Sequence, residues 1–263
     1  GLKTKKKKSR STSAEILEEL SEESEICQYI LEHRKFSKLK STYTDSLPTL
    51  ISKYDGRIHT TYNQALTVTG RLSSSNPNLQ NIPIRTEEGN KIRAAFCAKD
   101  KENSLILSAD YSQIELRLLA HVSDDTNLVE AFKSGVDVHT VTASKVFGVE
   151  IGDVTKDMRR KAKAVNFGIV YGQSKYGLAK TLGISNSEAQ NFIDKYFEHY
   201  PKVKEYMEIR KEFALEHGYA ETMFGRKRYL TSELMSPNFQ IREFAQRAAI
   251  NQPLQGSAAD LIK

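Results

Sequence analysis

Apolar residues recur every three to four positions through most of the chain, and that period is the signature of helices packed on one face. Thr12-Ser13-Ala14-Glu15 has the form of a capping box ahead of Ile16, Leu17 and Leu20, so a helix is expected to open there. A second helix is expected over residues 25–40. Asp55-Gly56-Arg57 reads as a turn, and residues 57–68 alternate well enough for strands. Residues 70–83, rich in Ser, Asn, Pro and Gly, read as a loop. The run Leu105-Ile106-Leu107-Ser108-Ala109 is expected to be a short buried strand, and Ile114, Leu118 and Val122 then recur at helical spacing. From about 124 to 230 the pattern is mostly helical. One helix spans 155–171 and is ended by Gly172; another is capped by Ser185 through Glu188 and runs to His199, ahead of Pro201. A last helix is expected over 236–263, with a bend near Pro253 and Gly256. The chain stops in apolar-patterned sequence with no terminating signal, so a natural C-terminus is not expected there.

Composition narrows the class. The chain has 263 residues, 39% hydrophobic and 27% charged, which suits a packed protein of one large domain or two ordinary ones. No run approaches the roughly 18 apolar residues of a membrane span, and the basic N-terminus lacks the apolar segment of a signal peptide. Cys27 and Cys97 have no metal-type spacing, so a reducing, cytoplasmic setting is expected. The net charge of +6 points only mildly to a polyanionic partner. Six of the first ten residues are basic (Lys3, Lys5 to Lys8, Arg10), which fits a solvated tail or a sequence-blind phosphate contact.

Three segments carry candidate chemistry. Asp110 lies where the expected strand meets the expected helix, a place where a rigid carboxylate can serve Mg²⁺; the same position suits an ordinary helix N-cap. Ser112 and Glu115 likewise match a capping box. Arg159, Lys163, Phe167 and Tyr171 are each four residues apart. On a helix they form one slanting stripe about 18 Å long, with cations toward the positive N-terminal end and aromatics toward the other. A nucleoside triphosphate has the same polarity, phosphates at one end and a flat sugar-base at the other. A surface helix with a basic face and a buried aromatic end fits that spacing equally well. The loop 69–85 is dense in small hydrogen-bonding side chains with Arg71 and Arg85, which suits nucleic-acid contacts as well as generic loop chemistry.

Together these segments resemble the family A (polymerase I) DNA polymerases along essentially the whole chain. Ala109-Asp110-Tyr111-Ser112-Gln113-Ile114-Glu115-Leu116-Arg117 is similar to the family's first catalytic motif, and residues 159–172 to its second. Residues 69–85, 221–228 and 251–260 also match, in the family's order. The resemblance implies an α+β right-hand architecture, with a partial palm sheet and a mainly helical fingers domain. Its divisions would be the end of a thumb (1–47), palm (48–122), fingers (123–231) and a second palm segment (232–263).

The resemblance also implies roles. Asp110, with the Tyr111 backbone carbonyl, would ligate two Mg²⁺ ions. Arg159, Lys163 and His139 would hold the triphosphate, and Gln113, Glu115, Phe167 and Tyr171 the nucleoside, with Glu115 excluding a 2′-hydroxyl. Lys40, Arg71, Asn78, Gln80, Asn81, Arg85, Ser174, Arg247, Asn251 and Gln255 would contact primer-template DNA, largely at backbone and minor-groove acceptors that differ little between base pairs. The partners implied are that DNA and deoxynucleoside triphosphates, with no membrane and a monomeric state. The family's third motif, a His-Asp pair, is absent, so the chain alone is expected to be inactive. A single-subunit RNA polymerase shares the general architecture, but Glu115 argues against it. A non-catalytic DNA-binding module is the other reading, disfavoured by intact Asp110, Arg159 and Lys163.

Overall fold

The structure is a computed structural model that describes residues 11–84, 86–100 and 102–263. The basic start and Arg85 therefore lie outside the described residues. The chain divides into two compact units, one running to Asn63 and resuming over Ser73–Ser108, the other formed by Gln64–Leu72 and Ala109–Lys263.

The first unit opens with α1 (Ala14–Glu19), α2 (Glu25–Leu39), a π-helical turn (Lys40–Thr44) and α3 (Ser46–Thr49). The helix expected after Thr12 is present, but Ser13 is its N-cap and makes no side-chain cap bond. Thr12 instead accepts from the Arg34 guanidinium, at its carbonyl and, at 3.0 Å, at its hydroxyl.

Strand β1 (Thr61–Asn63) pairs antiparallel with β2 (Ser73–Ser75), Thr61 facing Ser75. The alternation over 57–68 thus yields only a three-residue strand, and the polar segment expected as pure loop supplies its partner. Helix α4 (Glu87–Ala94) follows, its first turn capped by Thr86 Oγ1, which accepts from Gly89 N at 3.1 Å. Among the described residues of this unit Leu17, Cys27 and Tyr43 are the buried apolar side chains, and the Tyr43 hydroxyl donates to the Asn81 carbonyl at 2.6 Å.

The expected strand at 105–109 does not form. Leu105 and Leu107 are 95% and 91% exposed. Among the described residues no strand runs beside them, and an extended segment without a ladder partner has neither hydrogen bonds nor a face to bury.

The second unit is mainly helical: α5 (Ile114–Ser123), α6 (Thr126–Lys133), α7 (Val138–Phe147), α8 (Lys156–Val170), α9 (Lys175–Leu182), α10 (Asn186–His199) and α11 (Pro201–His217). A hairpin of β3 (Tyr219–Glu221) and β4 (Lys227–Tyr229) follows, then α12 (Thr231–Leu234) and α13 (Phe239–Ile262). Side chains of Asp125, Asp137, Thr155, Ser174 and Ser185 cap α6 to α10, each accepting from a backbone N–H of the first turn. At Ser185 the reciprocal bond from Glu188 completes the capping box the sequence suggests. Leu116, Leu119, Val138, Val165, Ile169, Leu178, Tyr196, Tyr200 and Leu254 form one core, so α8 packs within a bundle drawn from α5, α7, α9, α10 and α13. Helix α13 continues through Pro253 for 24 residues.

Candidate functional site

Helix α8 begins one residue after Thr155 and ends before Gly172, whose φ of 62° is the left-handed turn that glycine adopts without strain. Its inner face is Ala162, Val165, Asn166, Ile169 and Val170, all buried. That leaves Arg159, Lys163, Phe167 and Tyr171 on the outward stripe. Phe167 and Tyr171 stack with ring centroids 6.2 Å apart, and Lys163 Nζ lies 6.0 Å from the Phe167 ring. The stripe therefore exists as a continuous surface.

Each end of it is held by a carboxylate. Arg159 donates from Nε and a terminal nitrogen to the two oxygens of Asp137, at 2.9 and 3.0 Å, a fork-on-fork pair. Burial pushes Asp137 up, but the bonds from Arg159 and Thr140 outweigh it and bring its pKa down to about 2. At the other end, the Tyr171 hydroxyl donates to Glu115 at 2.7 Å, and the second Glu115 oxygen accepts from Arg71. Burial, then the bond to Glu115, pushes the Tyr171 phenol up to about 12. Glu115 is itself only 6% exposed, so two donors satisfy a carboxylate that would otherwise be costly to bury. It does not close a capping box: the N-cap of α5 is Gln113, in the left-handed region at φ 55°, with no side-chain cap bond. A non-glycine residue held there stores about 1–3 kcal/mol of strain.

His139, on α7, lies against the middle of the stripe, its ring centroid 5.8 Å from that of Phe167. Burial, reinforced by Arg159 and Lys163 against the opposing Asp137, lowers its pKa to about 4, so the ring is neutral.

Asp110 and Tyr111 are exposed and precede α5 in an irregular segment. Among the described residues no group of three or more His, Cys, Asp or Glu side chains could hold a metal ion. Mg²⁺ takes about six oxygens, several from water and substrate phosphates. The Asp110 carboxylate and Tyr111 carbonyl therefore fit one corner of such a site.

Arg247, Asn251 and Gln255 recur every four residues on α13 and line one cleft of about 200 Å³ with Thr69, Tyr171 and Phe244. The segment bearing Arg71 is fixed to that helix. Gln252 Nε2 donates to the Val68 carbonyl at 3.2 Å, and a Cβ on Gly70 would meet the Arg226 guanidinium at 2.4 Å. Arg226 is anchored by Asp260, at 2.8 Å, and by the Gly256 carbonyl. Ser174 is exposed and caps α9. In the first unit Asn78, Gln80 and Asn81 are exposed, with Asn78 Oδ1 accepting from Gln80 N at 3.0 Å. Lys40 pairs with Asp45 at 2.5 Å.

The family model for DNA polymerase family A matches residues 1–263. The chain belongs to DNA polymerase family A. It is 54% identical over 259 residues to DNA polymerase I of Geobacillus stearothermophilus, covering 98% of this chain and 29% of that protein. It is 55% identical to DNA polymerase I of Bacillus subtilis, over the same shares, and 54% identical to that of Pseudomonas aeruginosa, covering 96% and 28%. The chain thus spans less than a third of the length of these family A relatives. Among solved structures it is similar to the POL domain of Pol1 from M. smegmatis in complex with DNA primer-template and dNTP. The TM-score is 0.85 at 44% identity, covering 100% of this chain and 46% of that one. The α+β, mainly helical class expected from the sequence is therefore that of a polymerase domain.

Sequence reasoning did not find the partners that set the stripe. Asp137, the counter-ion of Arg159, lies 22 residues away and no local pattern pairs the two. Asn166 was passed over, although a polar residue on the apolar face of α8 is itself a signal. Arg226 and Asp260 were matched only within motifs.

Proposed function

We propose that this chain forms the nucleotide-binding part of a DNA-directed DNA polymerase, one that adds deoxynucleotides to a primer 3′-hydroxyl under the direction of a DNA template and releases pyrophosphate. The observation that carries the reading is the α8 stripe. Its cations and stacked aromatics follow the polarity of a nucleoside triphosphate, beside a neutral buried imidazole. Arg159, Lys163 and His139 bind phosphate oxygens, and donors at those oxygens lower the barrier to phosphoryl transfer. The nucleotide would compete with Asp137 for the Arg159 fork. Phe167 meets the sugar, Tyr171 and Gln113 border the base, and Glu115, pinned by Arg71 and Tyr171, fills the space a 2′-hydroxyl needs.

In the second unit the Arg247, Asn251 and Gln255 face, with Arg71 and Ser174, contacts primer-template DNA; in the first unit Lys40, Asn78, Gln80, Asn81 and Arg85 do so. Asp110 and the Tyr111 carbonyl would hold Mg²⁺, two ions in the full site, which supply Lewis-acid stabilisation of the transferring phosphoryl group. We assign 1–47 to the end of a thumb, 48–122 and 232–263 to palm, and 123–231 to fingers, in a monomeric cytoplasmic enzyme. Among the described residues no helix is long and apolar enough to cross a membrane.

Primer extension by a full-length polymerase carrying this segment tests the reading. Asp110→Ala should abolish extension and leave duplex binding largely intact. Extension near the wild-type rate would remove Asp110 from the chemistry.

A further inference from the structure

Asn166 precedes Phe167 on α8 but faces inward, and it is 0% exposed. Its Nδ2 lies 3.0 Å from Nδ1 of His139. Behind it, Thr142 Oγ1 is 3.2 Å from both atoms of the amide and 3.3 Å from the Tyr200 hydroxyl. These four side chains make a polar row through an apolar core, and burial of an amide is tolerated only when its hydrogen bonds are made. An amide N–H donates and cannot accept. The imidazole nitrogen facing it must therefore be the unprotonated one, which leaves the ring proton on Nε2. The hydrogen bond of the His139 ring among the described residues is the one from Asn166 to Nδ1, and none to Nε2 is seen there.

We propose that Asn166 is a positioning residue that locks His139 in the neutral Nε2–H tautomer, so that Nε2 serves as a ready donor to a phosphate oxygen of the incoming nucleotide. The proposal rests on the assignment of His139 to the nucleotide site. The groups facing the ring agree with it. Arg159 and Lys163 on α8 oppose a further positive charge, Asp137 at the head of α7 favours one, and Tyr200, beyond Thr142, is neutral. Burial adds to the two cations, and the net direction is strongly downward. A protonated ring would also set an N–H of His139 against an N–H of Asn166. The opposite amide orientation would reverse everything: an amide oxygen facing Nδ1 would require Nδ1–H and leave Nε2 a lone pair, which repels phosphate.

Nitrogen NMR of His139, in protein labelled at histidine, separates the two arrangements without any activity measurement. The expected spectrum has a pyridine-like Nδ1 and a pyrrole-like Nε2, unchanged between about pH 8 and pH 5.5, where a free imidazole would titrate. Asn166→Asp puts an acceptor against Nδ1 and should move the proton there, with His139 now titrating in the neutral range. Thr142→Val, a milder change, should blur the tautomer preference. A pyridine-like Nε2 in the wild type, or titration near the free-histidine value, overturns the proposal whatever the variants do. In a full-length polymerase, Asn166→Ala should lower kcat/KM for the nucleotide about tenfold, the scale of one hydrogen bond, mostly through KM. Asn166→Asp should add an inflection to its pH profile. If the spectrum is as expected but both variants keep wild-type nucleotide kinetics, the tautomer lock stands and the phosphate-donor role of His139 falls.

Discussion

At the scale of single residues, the two ends of the α8 stripe are set by carboxylates, Asp137 on Arg159 and Glu115 on Tyr171 and Arg71, and their energetics follow from burial. Asp137 is the clearest case. Its folded pKa lies near 2, below the ordinary value of 3.8, so the stabilisation it provides is present above about pH 4 and is lost as pH falls through about 2. Arg159 is nearly half exposed, which screens the pair, so a contribution on the order of 1 kcal/mol is reasonable. Asp137→Asn should lower the melting temperature at pH 7 and make little difference near pH 2; a pH-independent gap between variant and wild type would mean packing, not charge, accounts for the loss. Glu115 presents a larger effect. Glu115→Ala leaves Arg71 and the Tyr171 hydroxyl without their acceptor and opens a gap beside Tyr171. A cost of about 1–3 kcal/mol in stability is expected. In a full-length polymerase the same change should raise ribonucleotide use, and Phe167→Tyr should raise dideoxynucleotide use by supplying a hydroxyl where the missing 3′-hydroxyl normally interacts. Unaltered sugar discrimination in both would show that the sugar does not sit between these side chains.

At the scale of elements, the difference between what sequence reveals and what it hides is a matter of range. The capping box at Ser185, the Thr155 start and the Gly172 end of α8 are legible because each signal and its consequence lie within four residues. The stripe on α8 is legible for the same reason. The strand at 105–109 was misread because an apolar run states what would be buried, not whether a neighbouring strand is there to bury it. The Arg34 to Thr12 bond, the Asp137 to Arg159 pair and the Arg226 anchor all join residues distant in sequence, and no local period announces them. Gly172 connects the two scales. It is needed for its left-handed φ, and a Cβ there would also approach Arg247 Cγ to 3.0 Å. Gly172→Ala should therefore cost about 1–2 kcal/mol and displace Arg247 from its α13 position. Hydrogen exchange should show faster opening of the last turn of α8; unchanged protection would show that α8 does not depend on this turn.

At the scale of the whole molecule, phosphate-compatible groups gather along helix faces, whereas among the described residues no three candidate metal ligands come together. Arg159, Lys163 and Arg247 are all in the second unit, and the chain as a whole carries +6. Binding of primer-template DNA should therefore be measurable and should weaken steeply with salt, because each neutralised phosphate releases condensed counterions and adds about 0.9 to the slope of log K against log salt. Chemistry sets a stricter requirement. Holding two Mg²⁺ ions close together takes several anionic oxygens at fixed positions, and a single exposed carboxylate on an irregular segment provides neither the number nor the rigidity. Asp110 is in that situation, and no cluster of three or more candidate ligands exists among the described residues. The exposed run Leu105-Ile106-Leu107 adds a second consequence, since an unpaired apolar segment can pair with another copy of itself. The purified 263-residue chain, given Mg²⁺, a primed template and four deoxynucleotides, should thus bind the DNA, fail to extend it, and self-associate unless Leu105 and Leu107 are replaced by Lys. Fluorescence anisotropy across a salt series reads the first, a primer-extension gel the second, and sedimentation the third. Sustained template-dependent extension would mean that the carboxylates needed for both ions are already present and are brought together only when DNA binds.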